Sequence, residues 1–217
     1  MRGVSKRKLR YLSGQFQQAN IVGLTETHAQ STEKCNLLKT SFSKWSLISA
    51  TGSNASAGVT LAIHPSLTIS SSGNTMDGRC AYAEIDNVLL VCTYFHTKVW
   101  DRLFWIKNTL EPLITGRTTI IFGDMNMALF EEDREGSFSK GRDISAMLDL
   151  ILKNELVDVA MVSAKREFTY RSAYGRKSRI DHCFLSKKIS KNVDLETIKM
   201  PFPSEVDTFE KYFSTRY

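Results

Sequence analysis

Short apolar runs divided by turn residues set the rhythm of this chain. IVGLT (21–25), WSLISA, GVTLAIH, CAYAEID and VLLVCTYF are each short enough for one strand and bounded by Gly, Ser, Asn or Asp. TTIIF (118–122) follows the same pattern, and FTYRS and IDHCFLS close the series. Between these runs, apolar residues recur every three or four positions and predict helices. Leu9, Leu12 and Phe16 share one side of 5–18 among lysines and arginines, and 32–43 reads as helical or mixed structure. Leu103, Ile106, Leu110 and Leu113 mark a helix over 102–113, and Met147, Leu148, Ile151 and Leu152 mark another over 144–154. The Ser/Gly/Asn-rich run at 70–74 is the only low-complexity patch. Strands in runs with helices interposed predict a mixed sheet, or two packed sheets covered by helices, rather than a doubly wound sheet. With no internal repeat and no long linker, residues 1–217 are expected to form one domain.

Composition adds limits. A 42% hydrophobic content over 217 residues is enough for a real core, and 29 Lys plus Arg against 23 Asp plus Glu give a net charge of +6. That excess suits a polyanionic partner without requiring one. Cys35, Cys80, Cys92 and Cys183 are widely spaced and form no C-x-x-C pair, so neither a zinc module nor a disulfide framework is expected; they read as buried thiols of a reducing compartment. No apolar run has the length of a membrane span, and the basic start lacks the apolar core of a secretory signal. The expectation is a soluble, intracellular protein.

The polar residues at strand ends change the picture from fold to chemistry. Glu26 stands just past IVGLT, Tyr94 ends VLLVCTY, Asp124 and Asn126 follow TIIFG, and Asp181 opens IDHCFLS. Groups carried on strand ends can converge on one crevice while the strands hold them rigidly. Carboxylates, an amide and a phenol suit phosphodiester chemistry with a hard divalent cation, because Mg²⁺ needs only one or two protein carboxylates and bridges to phosphate oxygen. Glu26 is the candidate ligand, and Asp124 the candidate group to orient or deprotonate water. Gly123 would let the backbone turn. Each residue also has a plainer explanation: Glu26 as a solvated turn residue, GDMN as a turn, Tyr94 as an amphipathic edge residue, Asp181 as a cap or a partner of Arg179. Their occurrence in this order is the argument. Lys6, Arg7, Lys8 and Arg10 form one basic cluster; Arg171, Arg176, Lys177 and Arg179 form a second that would border the site and meet phosphates. The acidic run EEDRE (131–135) reads as a solvated loop.

GLTETH, VCTYFHT, IIFGDMN and FTYRSAYGRKSRIDHCFLS together resemble the successive motifs of the endonuclease/exonuclease/phosphatase superfamily, over roughly residues 6–186. The ETH and SRIDH details are most similar to the endonuclease domains of non-LTR (LINE-type) retrotransposons. The resemblance implies a four-layered, DNase I-like α/β sandwich and cleavage of DNA with Mg²⁺, or with Mn²⁺ in its place. It implies a monomer that nicks chromosomal DNA in the nucleus, with a reverse transcriptase domain in the parent open reading frame. On the matching positions, Glu26 is implied as metal ligand, Tyr94 as a phosphate or transition-state contact and Asp124 as the water-positioning carboxylate. Asn126 is implied to bond the phosphate or Asp124, and Asp181 matches the Asp that orients a catalytic His. Arg176, Lys177 and Arg179 are the expected nucleic-acid contacts.

Two departures accompany the match. The family's first core strand and its Asn precede the basic helix, and this chain starts where that strand would already have ended. Near the other end, where the chain diverges after about 190, Asp207 lies at a fitting distance as a second metal ligand, but Thr208 stands in the place of the family His. Three functions therefore stay open: an active DNA endonuclease, a non-catalytic remnant retaining the fold and weak nucleic-acid binding, and a small-molecule or lipid phosphatase of the same superfamily.

Overall fold

The computed structural model describes residues 5–15, 19–52, 57–163 and 166–192. Within it the chain divides into two compact units, Met1–Tyr94 and Phe95–Tyr217. Phe16, Asp207, Thr208 and everything after 192 lie outside the described residues.

The first unit runs α1 (Lys6–Gln15), β1 (Ile21–Thr25), α2 (Thr32–Ser41), β2 (Ser46–Ala50), β3 (Val59–Ile63), β4 (Ser71–Asn74), β5 (Cys80–Ile85) and β6 (Val88–Tyr94). Strand β3 is central in an antiparallel sheet of order β1-β3-β2, and all five of its residues are buried. Burial on both faces explains why VTLAI shows no clean alternation. Strands β4, β5 and β6 form an antiparallel meander. The low-complexity patch at 70–74 supplies the edge strand of that meander, because Ser71–Asn74 pair with the well-formed β5. Small polar side chains suit such an edge, where one side of the strand faces away from the ladder. Ser31 caps α2 by accepting the Lys34 N–H, and α1 packs on α2 with Leu9 and Leu38 buried.

The second unit begins with a continuous helical stretch: α3 (Val99–Trp105), a π-helical turn (Ile106–Leu110) and α4 (Glu111–Ile114). Strand β7 (Thr118–Asp124) follows, then α5 (Arg142–Lys153), β8 (Leu156–Asp158), α6 (Val159–Val162), the short pair β9 (Tyr170–Arg171) and β10 (Lys177–Ser178), and β11 (Asp181–Ser186). Strand β11 pairs antiparallel with β7 on one side and β8 on the other. Val159, Ala160, Cys183 and Leu185 form a buried cluster against Ile120, Phe122 and Ile189. Of the expected stripe, Ile106 and Leu110 are buried while Leu103 and Leu113 are half-buried; Arg102, Trp105 and Ile114 complete the buried side, and a buried arginine is invisible to an apolar count. On α5, Ile144, Met147 and Leu150 are buried while Leu152 is exposed, which turns the predicted face by part of a turn. FTYRS contributes only two strand residues.

All four cysteines are free thiols, and burial pushes Cys80 up to about 12. No helix among the described residues is long and apolar enough to cross a membrane.

One contact fixes the loop that follows β1. Thr27 and His28 donate their N–H groups to the carbonyls of Gly58 (3.0 Å) and Ala57 (3.2 Å). Gly58 sits at φ +123°, and a Cβ there would meet Thr27 Oγ1 at 2.5 Å. Gly58→Ala is therefore expected to cost roughly 1–3 kcal/mol, read as a lowered urea midpoint; an unchanged midpoint would show that the loop relaxes freely.

Candidate active site

In the first unit, the end of β1 turns abruptly. Glu26 and His28 both adopt left-handed backbone conformations, φ 51° and 48°, which non-glycine residues hold only where the surroundings enforce them. The pairing of Thr27 and His28 with 57–58 supplies that enforcement. Tyr94, the last residue of β6, donates its hydroxyl to Glu26 Oε1 at 2.6 Å. Two residues far apart in sequence and both expected in the site are thus directly bonded. The Tyr94 ring is 5% exposed and lies under the Arg79 guanidinium, 4.7 Å from its centroid. Arg79 also receives the Tyr94 N–H on its carbonyl at 2.9 Å. Its role was not legible in the sequence, where GRC is an ordinary turn. His28 has its pKa lowered, first by burial, with the Glu26 carboxylate opposing.

In the second unit, β7 ends at Asp124 after Gly123, whose φ of 136° is one an L side chain rarely adopts. Asp124 Oδ1 accepts the Asn126 N–H at 2.8 Å, and Asn126 (φ 49°) sends its side-chain amide to the Phe95 carbonyl, also at 2.8 Å. Phe95 in turn donates its N–H to the Asp124 carbonyl. The amide of Asn126 therefore anchors the backbone, and its N–H does what was expected of its side chain toward Asp124.

Asp181 is register partner to Asp124 across β11 and β7. Directly opposed residues project to the same face of a sheet, and two carboxylates so placed repel. Such a pair is stabilised by a cation or a proton at the same face. Asp181 is set in place through its N–H, which Thr169 Oγ1 accepts at 3.1 Å while also accepting that of Ile180.

The basic stretch before Asp181 divides three ways. Arg176 is exposed, while Lys177 pairs with Glu135 at 3.1 Å. Arg179 departs from the expectation of a nucleic-acid contact: it is 1% exposed and lies between Asp133 and Asp158. Nor does it pair with Asp181. Desolvation pulls its pKa down, but the hydrogen bonds and charges of the two aspartates outweigh that and raise it. Asp133 likewise corrects the view of EEDRE as wholly solvated, since it is fully buried and Arg166 approaches it as well, at 3.5 Å. Breaking a buried pair leaves an uncompensated charge, so Arg179→Met is expected to destabilise the fold by about 3–5 kcal/mol in denaturant titration.

His182, next to Asp181, faces the core as the strand alternation predicts. Its Nε2 lies 3.0 Å from the Met127 carbonyl, which assigns the proton to Nε2, and its ring stacks on Phe184. Burial pushes its pKa down to about 4, with the Arg179 charge adding to the effect. An unfolded histidine titrates near 6.5, so between these values the unfolded chain holds more protons and stability falls as the pH falls. The loss is on the order of 3 kcal/mol, complete by about pH 4. His182→Phe is expected to remove this part of the pH dependence, and parallel stability curves for the two proteins between those pH values would contradict it.

The donor sets fit a hard divalent cation. Glu26 presents a carboxylate steadied by a phenol, and Asp124 and Asp181 present oxygen only; no thiolate or imidazole takes part in either set. Among the described residues no group of three or more His, Cys, Asp or Glu gathers as a metal cage. Mg²⁺ keeps several waters and is held by one or two carboxylates, so these residues match its demand.

The model of the endonuclease/exonuclease/phosphatase family matches residues 4–196. Among solved structures, an AP endonuclease from Archaeoglobus fulgidus aligns with a TM-score of 0.74 and 17% identity, covering 95% of this chain and 93% of that one. The 3′ phosphatase NExo from Neisseria, solved with a product DNA hairpin, aligns at 0.73 and 14% identity, covering 94% and 95%. A 3′–5′ exonuclease from Neisseria meningitidis aligns at 0.70 and 14% identity, covering 90% and 89%. No curated protein matches the sequence. The fold class is the mixed α/β sandwich of the DNase I type. The match across most of the sequence makes this chain a member of the endonuclease/exonuclease/phosphatase family, a superfamily of nuclease- and phosphatase-type phosphodiesterases that generally depend on a divalent metal.

Proposed function

We propose that the chain is a divalent-metal-dependent DNA endonuclease, working over residues 1–217 as the target-nicking domain of a retrotransposon open reading frame. The observation that carries the reading is the Asp124–Asn126–Asp181 arrangement: a carboxylate held by a backbone N–H, facing a second carboxylate across the strand register. DNA as substrate is supported by the fold shared with an AP endonuclease and with a phosphatase solved on a DNA hairpin. The ETH and SRIDH details support the retrotransposon context, and with it a monomer acting in the nucleus beside a reverse transcriptase domain.

Glu26 would hold the metal, Mg²⁺ or Mn²⁺ in its place, which when bound supplies neutralisation of phosphate charge. The Tyr94 hydroxyl fixes the orientation of the Glu26 carboxylate, and the Arg79 guanidinium on the ring keeps the phenol in that pose. Asp124 receives the proton of the attacking water; the Asn126 N–H on Oδ1 orients it for that task. Phe95, bonded at both its N–H and its carbonyl, keeps Asp124 and Asn126 in fixed relation. Asp207, as a second ligand, belongs to the same proposal.

One observation favours a second reading. Thr208 occupies the place of the family His, and a hydroxyl cannot carry the positive charge an imidazolium brings to a phosphate. A non-catalytic remnant would keep the fold and bind nucleic acid weakly. Nicking of supercoiled plasmid by purified protein separates the two. With Mg²⁺ or Mn²⁺ present, nicking is expected, EDTA should abolish it, and Asp124→Asn should slow it by about 10²–10⁴-fold. A folded protein that nicks with neither metal would establish the remnant.

A further inference from the structure

The start of the second unit carries an exposed aromatic face that the proposed chemistry does not use. Trp100 and Phe104 lie four residues apart on α3, hence on one side of the helix, and are 65% and 69% exposed. Soluble proteins seldom leave two such rings in water without a partner. The Arg142 guanidinium sits 5.5 Å from the Trp100 ring centroid, and Lys98 and Lys107 are exposed on the same helical stretch.

This arrangement is built from below. Arg102, two residues after Trp100, is buried and joined to Asp143, the neighbour of Arg142, with Nη2 at 2.7 Å and Nε at 2.9 Å from the same carboxylate oxygen. That ion pair locks the start of α5 against α3 and so holds Arg142 on Trp100. The same guanidinium donates Nη1 to the carbonyls of His96 (3.0 Å) and Thr97 (2.7 Å). It thereby fixes the loop leading from Phe95, whose carbonyl holds Asn126. Trp100 is five residues from Phe95, no more than roughly 18 Å even if fully extended. The aromatic face is therefore rigidly tied to Asp124 and Asn126 and within a few nucleotides' reach of them.

We propose that Trp100, Phe104 and Arg142 form a stacking platform for an unpaired stretch of the DNA strand flanking the cleaved phosphodiester. The inference rests on the reading of the chain as a DNA-acting phosphodiesterase and names the form of its substrate. Aromatic rings in a cationic setting accept any base on their faces while the cations track the phosphates. A guanidinium stacked on indole keeps its N–H edge for phosphate oxygens, so Arg142 serves both ring and backbone. Charge selects this occupant over a second copy of the chain, because Lys98, Lys107 and Arg142 outnumber Asp101, the exposed acid of α3, and a two-fold contact would set that cationic excess against itself. It also selects it over a protein surface, whose contacts are depleted in lysine at the centre.

The test measures binding of a fluorescein-labelled, single-stranded mixed-sequence oligonucleotide by anisotropy in EDTA, alongside quenching of intrinsic tryptophan fluorescence. Trp100→Ala and Arg142→Ala are each expected to weaken binding by roughly 5- to 150-fold, with Trp100→Phe restoring most of it. Nicking of supercoiled plasmid with Mg²⁺ is measured in parallel, so that platform and catalysis are read separately. Unfolding midpoints of the exposed-site variants should match the unaltered protein. If Trp100→Ala binds as tightly as the unaltered protein, or the unaltered protein does not bind the strand, the inference falls even where plasmid nicking persists. Trp100-dependent binding without nicking would uphold the platform while overturning the catalytic reading. Self-association in sedimentation that Trp100→Ala abolishes, with no strand binding, would assign the face to a second copy and overturn the inference.

Discussion

The second unit depends on one buried cation. Arg179 joins three segments that are remote in sequence: Asp133 in the loop after Asn126, Asp158 at the end of β8, and its own position just before β11. Its N–H also goes to the Asp133 carbonyl, at 2.7 Å. Asp158 does double duty, accepting the Ala160 N–H to start α6. A guanidinium is suited to this because its planar fork serves two carboxylates at once and is always charged. Remove it, and Asp158 loses its ion-pair partner in the core while Asp133 is left with the more distant Arg166, at 3.5 Å. The consequence for function is positional, since Asp181 follows Arg179 by two residues and Asn126 precedes Asp133 by seven.

In each unit taken by itself, left-handed backbone occurs at residues expected in the site. Glu26, His28 and Asn126 all occupy the left-handed region, and Gly58 and Gly123 hold positive φ values beside them in the chain or in the hydrogen-bond pattern. Each such residue is disfavoured unless its neighbours fix it. Here the fixing bonds are visible: 57–58 for the loop after β1, Phe95 for Asn126, and the Met127 carbonyl held by His182 for the chain that follows. Asp86, Asn87 and Glu155 adopt the same backbone region in plain turns between elements, so what sets Glu26, His28 and Asn126 apart is the groups they carry and the bonds that fix them.

The sequence made part of this legible, and the reason is local. Strand runs such as VLLVC and helical spacing over 144–154 register because burial repeats with the period of the element. Polar residues at strand ends register because a carboxylate directly after an apolar run has few structural reasons to be there. What escaped notice was polar burial. Arg102, Asp133, Asp143, Asp158 and Arg179 look like solvent-facing charges in any one-dimensional pattern, yet each is buried. Their pairing joins residues from 21 to 46 positions apart, and spacing carries no signal for that. Trp100 lies outside the helix predicted over 102–113, and nothing in its spacing marks it as a ring that stands in water. The edge strand at Ser71–Asn74 was hidden because its pairing comes from β5, not from its own composition.

Under the proposed function, two sets of charges in the second unit answer different demands. Asp124 and Asp181, opposed across the register, present negative charge to an incoming phosphate that is itself negative. Neither a phosphodiester nor a hydroxide approaches such a face without a cation to reverse its field. Lys98, Lys107 and Arg142 have the reverse sign; the first two lie on the stretch that Arg102 ties to the loop after Phe95, and Arg142 opens α5, which Arg102 holds through Asp143. Under the proposed function, attraction of the strand and activation of water are thus assigned to separate groups of opposite charge. A single cluster of mixed sign would neutralise itself through internal ion pairs, as Arg179 does with its two aspartates. The Arg102–Asp143 pair is the inner strut that maintains this separation.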